Sequence, residues 1–319
     1  MAVWSVDYST FDDCQFICSG SDDKTVRVWD VDNNKQIQSF NGHSSFINCV
    51  KFSHIIIIII SKMSFVLHHL TKLFQLQIFN EYGSVNAIEF SPFNGGRYLC
   101  SGSLDKRIGL YDIETSKLLH VFNGHKSYVW CVDISPLQSN NNKMNNIGVI
   151  GGNGYTICSG SCDNTIRIWD IETAKQFNVF NGHELWIKSI KYGSNELSNT
   201  ILSGSNDKSV RLWDIRYGKQ IQVFNGHTGC VRTVEYSPFV IKNNIGNSNV
   251  ICSGSLDNTI RFWDIRSNKE ELYTIKGIND EADGILCIKY ISLKKKVNED
   301  NYGIYLYYGS KKGHIRVWG

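Results

Sequence analysis

The chain has 319 residues, of which 42% are hydrophobic and 12% aromatic, with only 3 prolines and 27 glycines. This composition is ample for a packed core and excludes a collagen-like or intrinsically disordered chain. The formal net charge of +3 at pH 7 is too small to indicate a surface for nucleic acid or for a membrane, so we predict neither as a partner.

The 10 cysteines occupy repeated positions instead of forming a disulfide framework. Four of them directly precede the triplet Ser-Gly-Ser: Cys18, Cys100, Cys158 and Cys252. Equivalent positions in different repeats lie too far apart to bridge, so we expect thiols in a reducing compartment. The start of the chain has no secretory signal, and its most apolar stretch, at 55–70, is too short and too polar for a bilayer. We therefore predict an intracellular protein, cytoplasmic or nuclear.

In chain order, one segment recurs: Ser-Gly-Ser-x-Asp, then Ile or Val alternating with polar residues, then an aromatic residue and Asp. Its copies stand at residues 19–30, 101–112, 159–170, 203–214 and 253–264, with a degenerate copy at 309–318. Each copy predicts a strand, a tight polar turn and a second strand. The turn aspartates recur at about the 40–50-residue period of propeller blades, except that the first gap is about twice as long.

A second motif, Asn-Gly-His, falls between these copies, at residues 41–43, 123–125, 181–183 and 225–227. Each Asn-Gly-His follows a short apolar strand and precedes another strand, so one repeat contains four strands. Short antiparallel strands cannot bury their faces singly, and radial stacking of four-stranded sheets solves that problem.

Gly-His, Ser-Gly-Ser-x-Asp and Trp-Asp at this spacing resemble the WD-40 repeat of the G-protein beta-like propeller family, and the resemblance covers nearly the whole chain. It implies an all-β fold, a seven-bladed β-propeller that forms one domain over residues 1–319. We count seven inner strands and place the blades at about residues 1–40, 41–79, 80–122, 123–180, 181–224, 225–275 and 276–319.

Two blades depart from the pattern. Residues 53–73 contain neither the Ser-Gly-Ser-x-Asp turn nor Trp-Asp, which makes blade two degenerate; the isoleucines at 55–60 pair as a strand with 64–69, or the stretch is translated non-coding sequence. The last blade lacks its closing strand, so either the natural chain starts upstream or the ring closes with a three-stranded blade. Three inserts, at 140–153, 240–249 and 294–302, are predicted to be solvated loops.

Four side chains recur together in blades four to six, and the resemblance implies that each set is a hydrogen-bonded tetrad joining two loops. The sets are His125, Ser159, Asp163 and Trp169; His183, Ser203, Asp207 and Trp213; and His227, Ser253, Asp257 and Trp263. A Ser-His-Asp set also matches a nucleophilic triad, but a catalytic site occurs once and this set occurs three times. We therefore predict structural tetrads and no enzyme: no catalytic residue, cofactor, metal ion or small-molecule substrate.

In the family that the chain resembles, the face around the central channel (the top face) binds peptides and domains through residues at the start of each inner strand. Carried over to this sequence, these residues are Trp4, Phe46, Asn48, Asn86, Tyr128, Trp130, Trp186, Lys188, Arg232 and Leu286. Aromatic residues and Arg are typical of interaction hot spots, although Trp4 and Trp130 equally suit packing against a neighbouring blade. The predicted function is a non-catalytic scaffold that binds other proteins or peptides.

Two alternatives stay open. Trp-Asp-Ile-Arg at 213–216 and 263–266 resembles the box by which some WD-repeat substrate receptors dock on the adaptor of a cullin-RING ubiquitin ligase. Arg216 and Arg266 would be its basic residues, although an Arg at such a turn is commonly just solvated. Alternatively, the chain is the regulatory propeller of a longer signalling or enzyme chain.

Overall fold

The structure is a computed structural model that describes residues 1–11, 14–41, 46–52, 56–61, 64–69, 84–135, 155–194, 197–243, 246–266, 271–277, 283–294 and 302–319. Apart from a short 3-10 helix at Asn94–Gly96, the regular elements of this part are β-strands. It contains no helix that is long and apolar enough to cross a membrane.

The strands form seven antiparallel sheets. The first sheet contains β1 (Val3–Phe11), β2 (Cys14–Ser21), β3 (Val26–Asp30) and β4 (Lys35–Phe40), and the second contains β5 (Cys49–Phe52), β6 (Ile56–Ser61) and β7 (Ser64–His69). The third contains β8 (Val85–Phe90), β9 (Tyr98–Ser103), β10 (Ile108–Asp112) and β11 (Lys117–Phe122). The fourth contains β12 (Val129–Ile134), β13 (Thr156–Ser161), β14 (Ile166–Asp170) and β15 (Gln176–Phe180).

The fifth sheet contains β16 (Ile187–Tyr192), β17 (Thr200–Ser205), β18 (Val210–Asp214) and β19 (Lys219–Phe224). The sixth contains β20 (Val231–Asn243), β21 (Gly246–Ser255), β22 (Thr259–Asp264) and β23 (Glu271–Lys276). The seventh contains β24 (Ile285–Lys294), β25 (Tyr302–Ser310) and β26 (Ile315–Trp318).

The turn between the second and third strands has the same chemistry in each sheet that carries Ser-Gly-Ser-x-Asp. In the fourth sheet, Asp163 Oδ1 accepts hydrogen bonds from the Thr165 N–H at 3.0 Å and from the Thr165 hydroxyl at 2.6 Å. The residue after the Asp has a φ between 61° and 75° at Lys24, Lys106, Asn164, Lys208 and Asn258. Residues other than glycine rarely adopt this backbone conformation. The hydrogen bonds to the Asp carboxylate therefore offset the strain and fix the turn.

The first strand of each sheet is the inner strand of a closed ring. Contacts between successive inner strands run β1–β5–β8–β12–β16–β20–β24 and return to β1. The protein is therefore an all-β propeller, as the sequence predicts. The structure shows six blades rather than the predicted seven, because the three-stranded sheet β5–β7 has neither the Ser-Gly-Ser-x-Asp turn nor the Trp-Asp of the blade motif.

The core lies between neighbouring sheets. Cys158 and Ile166 of the fourth sheet pack against Ile187 and Trp213 of the fifth, and all four are essentially inaccessible to solvent. The Gly of Ser-Gly-Ser is required for this close approach: a Cβ at Gly160 would lie 2.5 Å from Ile187 Cγ2. The small residues of the repeated motif thus set the distance between blades.

The predicted solvated loop is wrong at the insert 240–249, whereas residues 295–301 of the insert 294–302 lie outside the described residues. Strands β20 and β21 pair as far as Asn243↔Gly246, and β24 and β25 pair as far as Lys294↔Tyr302. The insert at 240–249 therefore lengthens the β20–β21 hairpin beyond the blade, since its Val and Ile residues favour strand conformation. The third insert, at 140–153, lies outside the described residues. In the second sheet, β6 and β7 pair from Ile56↔His69 to Ser61↔Ser64.

Candidate functional site

His125 joins two loops of blade four through a continuous chain of hydrogen bonds. Its Nδ1 lies 2.9 Å from Asp163 Oδ2, and its Nε2 lies 2.7 Å from the Ser159 hydroxyl oxygen. That oxygen accepts a hydrogen bond from Trp169 Nε1 at 2.8 Å. Since a Trp N–H only donates, the Ser159 hydroxyl donates to His125 Nε2, and the His125 proton resides on Nδ1. A neutral imidazole therefore satisfies every member of the set.

The same geometry occurs twice more, with each His within 2.8 Å of its Ser and Asp partners, in the sets His183–Ser203–Asp207–Trp213 and His227–Ser253–Asp257–Trp263. The imidazoles are at most 1% exposed, which leaves no space for a substrate beside them. Chemically, each set is a fully satisfied buried network that fixes a turn to the loop before the inner strand.

Burial controls protonation in these sets. Burial lowers the pKa of His125 and of His183, against the effect of their hydrogen-bonded carboxylates. For Asp163, burial alone would raise the pKa, but hydrogen bonds from His125 and Thr165 outweigh it and lower the pKa. At neutral pH the pair is therefore a neutral imidazole that donates to an ionised carboxylate.

Blade one has three members of the set and lacks the fourth. Ser19, Asp23 and Trp29 stand at the equivalent positions, but no described histidine lies within hydrogen-bonding distance of them. Trp29 Nε1 is buried without a hydrogen-bond partner. His43 of blade two, and Tyr82 at the histidine position of blade three, lie outside the described residues.

Blade seven uses a carboxylate that the sequence motif does not indicate. Lys312 replaces the turn Asp, and Asp283, fully buried before β24, accepts a hydrogen bond from the Lys312 N–H at 2.8 Å. The second Asp283 oxygen lies 3.4 Å from Arg316 Nη2 and 3.8 Å from His314 Nδ1. In this blade the carboxylate thus comes from the loop before the inner strand and not from the turn between the second and third strands. The Lys at position 312 was the available signal for this exchange.

The structure brings Lys188 together with Trp130, Trp186 and Arg232. With Tyr128, which is exposed two residues before Trp130, we call these residues the aromatic–basic cluster. Lys188 Nζ lies 3.2 Å from the centroid of the Trp130 ring and 5.1 Å from that of Trp186. Tyr128 and Trp186 are 47% and 46% exposed. The cluster therefore combines a cation held between two indole rings with accessible aromatic surface.

The two cations of the cluster lie in an unfavourable environment. Burial, together with the nearby Arg232, lowers the pKa of Lys188 to about 7. Burial also lowers the pKa of Arg232, whose Nε is buried without a hydrogen-bond partner. The largest contributions to both shifts come from burial, neighbouring cations and cysteines, and not from a carboxylate. The site therefore favours an added negative charge.

The predicted residues of blades one and two are arranged differently. Trp4 Nε1 donates a hydrogen bond to the carboxylate of Asp22, in the turn of its own blade. Trp4 is half-buried, which agrees with packing of its side chain against neighbouring residues of the propeller. Phe46 is 52% exposed and stands apart from the aromatic–basic cluster.

Two other predicted residues are not accessible. Asn86 is buried, and its Nδ2 donates to the Val129 carbonyl of the next blade at 2.9 Å. Asn48 Nδ2 lies 3.5 Å from Asn86 Oδ1, so this pair links blades. Leu286 is also buried. We therefore leave Asn86 and Leu286 out of the proposed binding surface, because the sequence position marks the inner strand and not the direction of the side chain.

A belt of buried and partly buried charges lies along the inner strands, and the sequence-based reasoning missed it. One residue comes from each inner strand: Asp7, Lys51, Glu89, Asp133, Lys191, Glu235 and Lys289. Nitrogen–oxygen distances are 2.9 Å for Lys51–Glu89, 3.3 Å for Lys191–Glu89 and 3.1 Å for Lys289–Asp7. In the sequence, each of these charged residues directly precedes an aromatic or apolar residue near the end of the core segment of its inner strand. This repeated position was the sequence signal for the belt.

Within the belt, the pKa values of two carboxylates are shifted in opposite directions. Burial raises the pKa of Asp133 to about 6, although Lys191 lies near it. Burial alone would also raise the pKa of Glu89, but Lys191 and Lys51 outweigh it and lower that pKa to about 2. Of these two carboxylates, Asp133 titrates nearer to neutral pH.

The two Trp-Asp-Ile-Arg segments end in exposed arginines. The backbone N–H groups of Arg216 and Arg266 each donate at 2.8 Å to the Asp of their own segment. The Arg216 guanidinium lies 3.5 Å from Asp214 Oδ2 and 5.5 Å from the centroid of the Tyr217 ring. The Asp therefore caps its own turn, and the Arg side chain lies at the surface.

All ten cysteines are free thiols, as the repeated positions predict. Within the described ranges, no group of three or more His, Cys, Asp or Glu residues is arranged to hold a metal ion.

Known proteins similar to this chain share its repeats. The model of the WD40 family (WD domain, G-beta repeat) matches residues 1–30, 34–55, 116–170, 174–214 and 218–264. The chain is 28% identical over 205 residues to a CCR4-associated factor 4 homolog of Vanderwaltozyma polyspora, covering 54% of this chain and 30% of the relative. It is 27% identical over 209 residues to cell division control protein 4 of Saccharomyces cerevisiae, covering 49% and 26%.

A third relative is the serine-threonine kinase receptor-associated protein of Gallus gallus, which is 26% identical over 181 residues, covering 56% of this chain and 44% of the relative. The chain thus spans less than half the length of each of these relatives. The family model, in contrast, matches more than half of the chain. Together with the propeller fold and the repeated Gly-His and Trp-Asp positions, this match shows that the chain belongs to the WD40 family of WD-domain, G-beta-repeat proteins.

Proposed function

We propose that this protein is a non-catalytic interaction scaffold whose aromatic–basic cluster captures a peptide segment of a partner protein. One observation carries the proposal: two indole rings lie close to the Lys188 amine beside a second half-buried cation, Arg232, and no described carboxylate pairs with either. Membership of the WD40 family supports a protein as the ligand. The free thiols support a reducing, intracellular setting, cytoplasmic or nuclear.

The charge of the cluster indicates the chemistry of that segment. Unpaired cations are costly to bury, and a carboxylate placed between Lys188 and Arg232 reduces that cost. The half-exposed rings of Tyr128 and Trp186 supply the large, rigid contact area that is typical of hot spots. The ligand is therefore an extended peptide that carries an Asp or Glu next to apolar residues.

The direct test is selection from an array of peptides of defined sequence. The wild-type protein should retain peptides that contain acidic residues, and the combined Trp130→Ala, Trp186→Ala and Arg232→Ala variant should retain none of them. Phe177→Ala, which removes an aromatic side chain that is exposed on β15, is the matched control and should retain the same peptides. Thermal unfolding of the triple variant should remain within a few degrees of wild type; a collapse in stability would show that the rings act in packing instead.

Lys188 makes peptide binding dependent on pH. Its pKa is about 7 in the free protein, and a bound carboxylate raises that pKa, so the complex takes up protons near neutral pH. Affinity should therefore fall as the pH rises from about 6.5 to about 8.5. Lys188→Arg keeps the charge without titrating in this range, and its affinity should be flat. A wild-type affinity that is independent of pH would contradict the role of Lys188.

A second candidate function is that of a substrate receptor of a cullin-RING ubiquitin ligase, which the two exposed arginines after Trp-Asp support. Arg216→Ala with Arg266→Ala should abolish recovery of the ligase adaptor with the purified protein and leave peptide selection by the cluster intact. The control is Lys219→Ala, a charged neighbour on β19. If the adaptor does not bind the wild type, or binds the double variant equally, this function is ruled out.

We further propose that the sheet β5–β7 is the seventh, degenerate blade of the ring. Its inner strand contacts both β1 and β8, and Lys51 joins the charged belt. Lys51→Ala should then destabilise the whole propeller by about 1–3 kcal/mol, because Glu89 loses a buried partner. A stability equal to wild type in denaturant titrations would argue against a blade at this position.

A further inference from the structure

The Lys188 amine lies over the faces of aromatic rings and not beside a carboxylate. Its Nζ is 3.2 Å from the centroid of the Trp130 ring and 5.1 Å from that of Trp186. Trp130 is held in its own blade, because its Nε1 donates to Cys162 Sγ at 2.6 Å. The titratable groups that act most strongly on the charge of the amine are Arg232 and the thiols of Cys162, Cys131 and Cys230. Among the described residues, the amine thus has aromatic, thiol and cationic neighbours.

This environment makes Lys188 a nucleophile at neutral pH. Burial and Arg232 lower its pKa to about 7, so about half of the amines have a free lone pair at that pH. Lys191, on the same strand β16, shows the contrast. Burial alone would lower its pKa too, but Glu89 and Asp133 outweigh that effect and raise the pKa well above its usual value. Of these two lysines, Lys188 is therefore the one that can attack an electrophile at neutral pH.

Arg232 has an unused donor for an anion that forms on this amine. Its Nε is buried without a hydrogen-bond partner, and its charge is close enough to lower the pKa of Lys188. A guanidinium presents a planar set of donors that matches a planar carboxylate. A carboxylate carried by the Lys188 nitrogen would therefore remove one of two neighbouring positive charges and give the other a partner.

We propose that Lys188 is a modification site that reacts reversibly with carbon dioxide to form a carbamate. The lone pair of the neutral Nζ forms a bond to the carbon of carbon dioxide, and one carbon–oxygen π pair moves onto the oxygen. The nitrogen then releases one proton to water, so the reaction needs neither an oxidant nor a reductant. The product is a planar anion that pairs with the Arg232 guanidinium, while the lysine chain stays against the Trp130 ring.

Carbamate formation would also regulate the aromatic–basic cluster. It replaces an amine that is neutral or positive with a negative group at the place where an acidic side chain would bind. Like charges at one site repel each other, so the carbamate should exclude an acidic peptide. This consequence rests on the proposed function, whereas the carbamate itself does not.

Chemical trapping tests the modification directly. The full-length protein is equilibrated at about pH 7.5 with isotopically labelled carbon dioxide and treated with triethyloxonium ion, which ethylates the carbamate oxygen and makes the group stable to digestion. Fragment-ion mass spectrometry should find the labelled group on Lys188. Two lysines of the same protein are internal controls: Lys191, which stays charged, and Lys219, which is exposed on β19. Both should carry at least about tenfold less of it.

Variants test the part played by Arg232. Arg232→Gln removes the partner of the carbamate and should lower the trapped fraction at Lys188 at least about tenfold, and Arg232→Lys, which keeps the positive charge, should retain more of it. Phe177→Ala is the control and should match wild type. The proposal is overturned if Lys188 of the wild type carries no more label than Lys219, or if folded Arg232→Gln protein carries as much label at Lys188 as wild type does.

A binding measurement separates this proposal from the proposed function. An acidic peptide that the wild type retains should bind at least about tenfold more weakly in buffer equilibrated with carbon dioxide than in purged buffer at the same pH. Lys188→Arg should bind it equally in both. If acidic peptides do not bind at all, the proposed function fails while a trapped carbamate still stands. If they bind and Lys188 carries no trapped group, the carbamate fails; a trapped group without any effect on binding overturns the regulation.

Discussion

The Ser203 hydroxyl accepts a hydrogen bond from Trp213 Nε1 at 2.8 Å and lies 2.7 Å from His183 Nε2. Because this network joins two loops, His183 contributes to the stability of the whole blade. His183→Ala should lower the free energy of unfolding by about 2–4 kcal/mol, because two buried hydrogen bonds are lost and Asp207 keeps fewer partners. Urea denaturation measures the loss. His120→Ala, on the outer strand β11, is the control and should cost less than about 1 kcal/mol; equal losses would show that the network contributes nothing specific.

Asp133 introduces a pH dependence with a defined sign. Its pKa is about 6 in the folded protein against 3.8 for an ordinary Asp, so the folded state binds this proton more tightly than the unfolded state. The group therefore stabilises the fold at low pH, and that contribution is lost as the pH rises through about 6. Relative to wild type, Asp133→Asn should gain about 1–3 kcal/mol between pH 4 and pH 7, measured by denaturant titration. A constant difference across this range would contradict the shift.

At the scale of elements, the three complete tetrads fall on consecutive blades, four to six. We expect hydrogen–deuterium exchange to be slowest in β13–β14, β17–β18 and β21–β22, because each pair of strands is closed by a buried network at its turn. Blade one, with its unpartnered Trp29, and the strands β6 and β7 should exchange faster. Exchange in β13–β14 that is no slower than in β6–β7 would contradict this ranking.

The elements were predictable from the sequence where the motif is intact. Ser-Gly-Ser-x-Asp specifies a strand, a turn and a strand because the Asp carboxylate, as at Asp163, caps the turn whatever the surroundings. The extension of β20–β21 was not predictable from composition, because the Asn and Lys residues at 240–249 suggested a solvated loop although its Val and Ile residues favour strands. Asp283 was missed because it reaches its partner from a different loop.

At the scale of the whole molecule, the repeats define a propeller but not its surface. The tetrad partners follow from spacing, because each set lies within one blade and its loops. The aromatic–basic cluster, in contrast, depends on which way Trp130, Lys188 and Arg232 point from three different blades. Asn86 and Leu286 hold equivalent positions and point into the interior. The charged belt likewise becomes visible only when the inner strands are placed side by side around the axis.

The most direct test of the account is to locate a bound acidic peptide on the propeller. A peptide selected by the wild-type protein, with a photoreactive group next to its acidic residue, is cross-linked and the labelled residues are identified by mass spectrometry. The account predicts labels at Tyr128, Trp130, Trp186 and Lys188, and loss of labelling when Arg232→Ala is added to Trp130→Ala and Trp186→Ala. Labels concentrated elsewhere on the propeller, or unchanged in the triple variant, would contradict it.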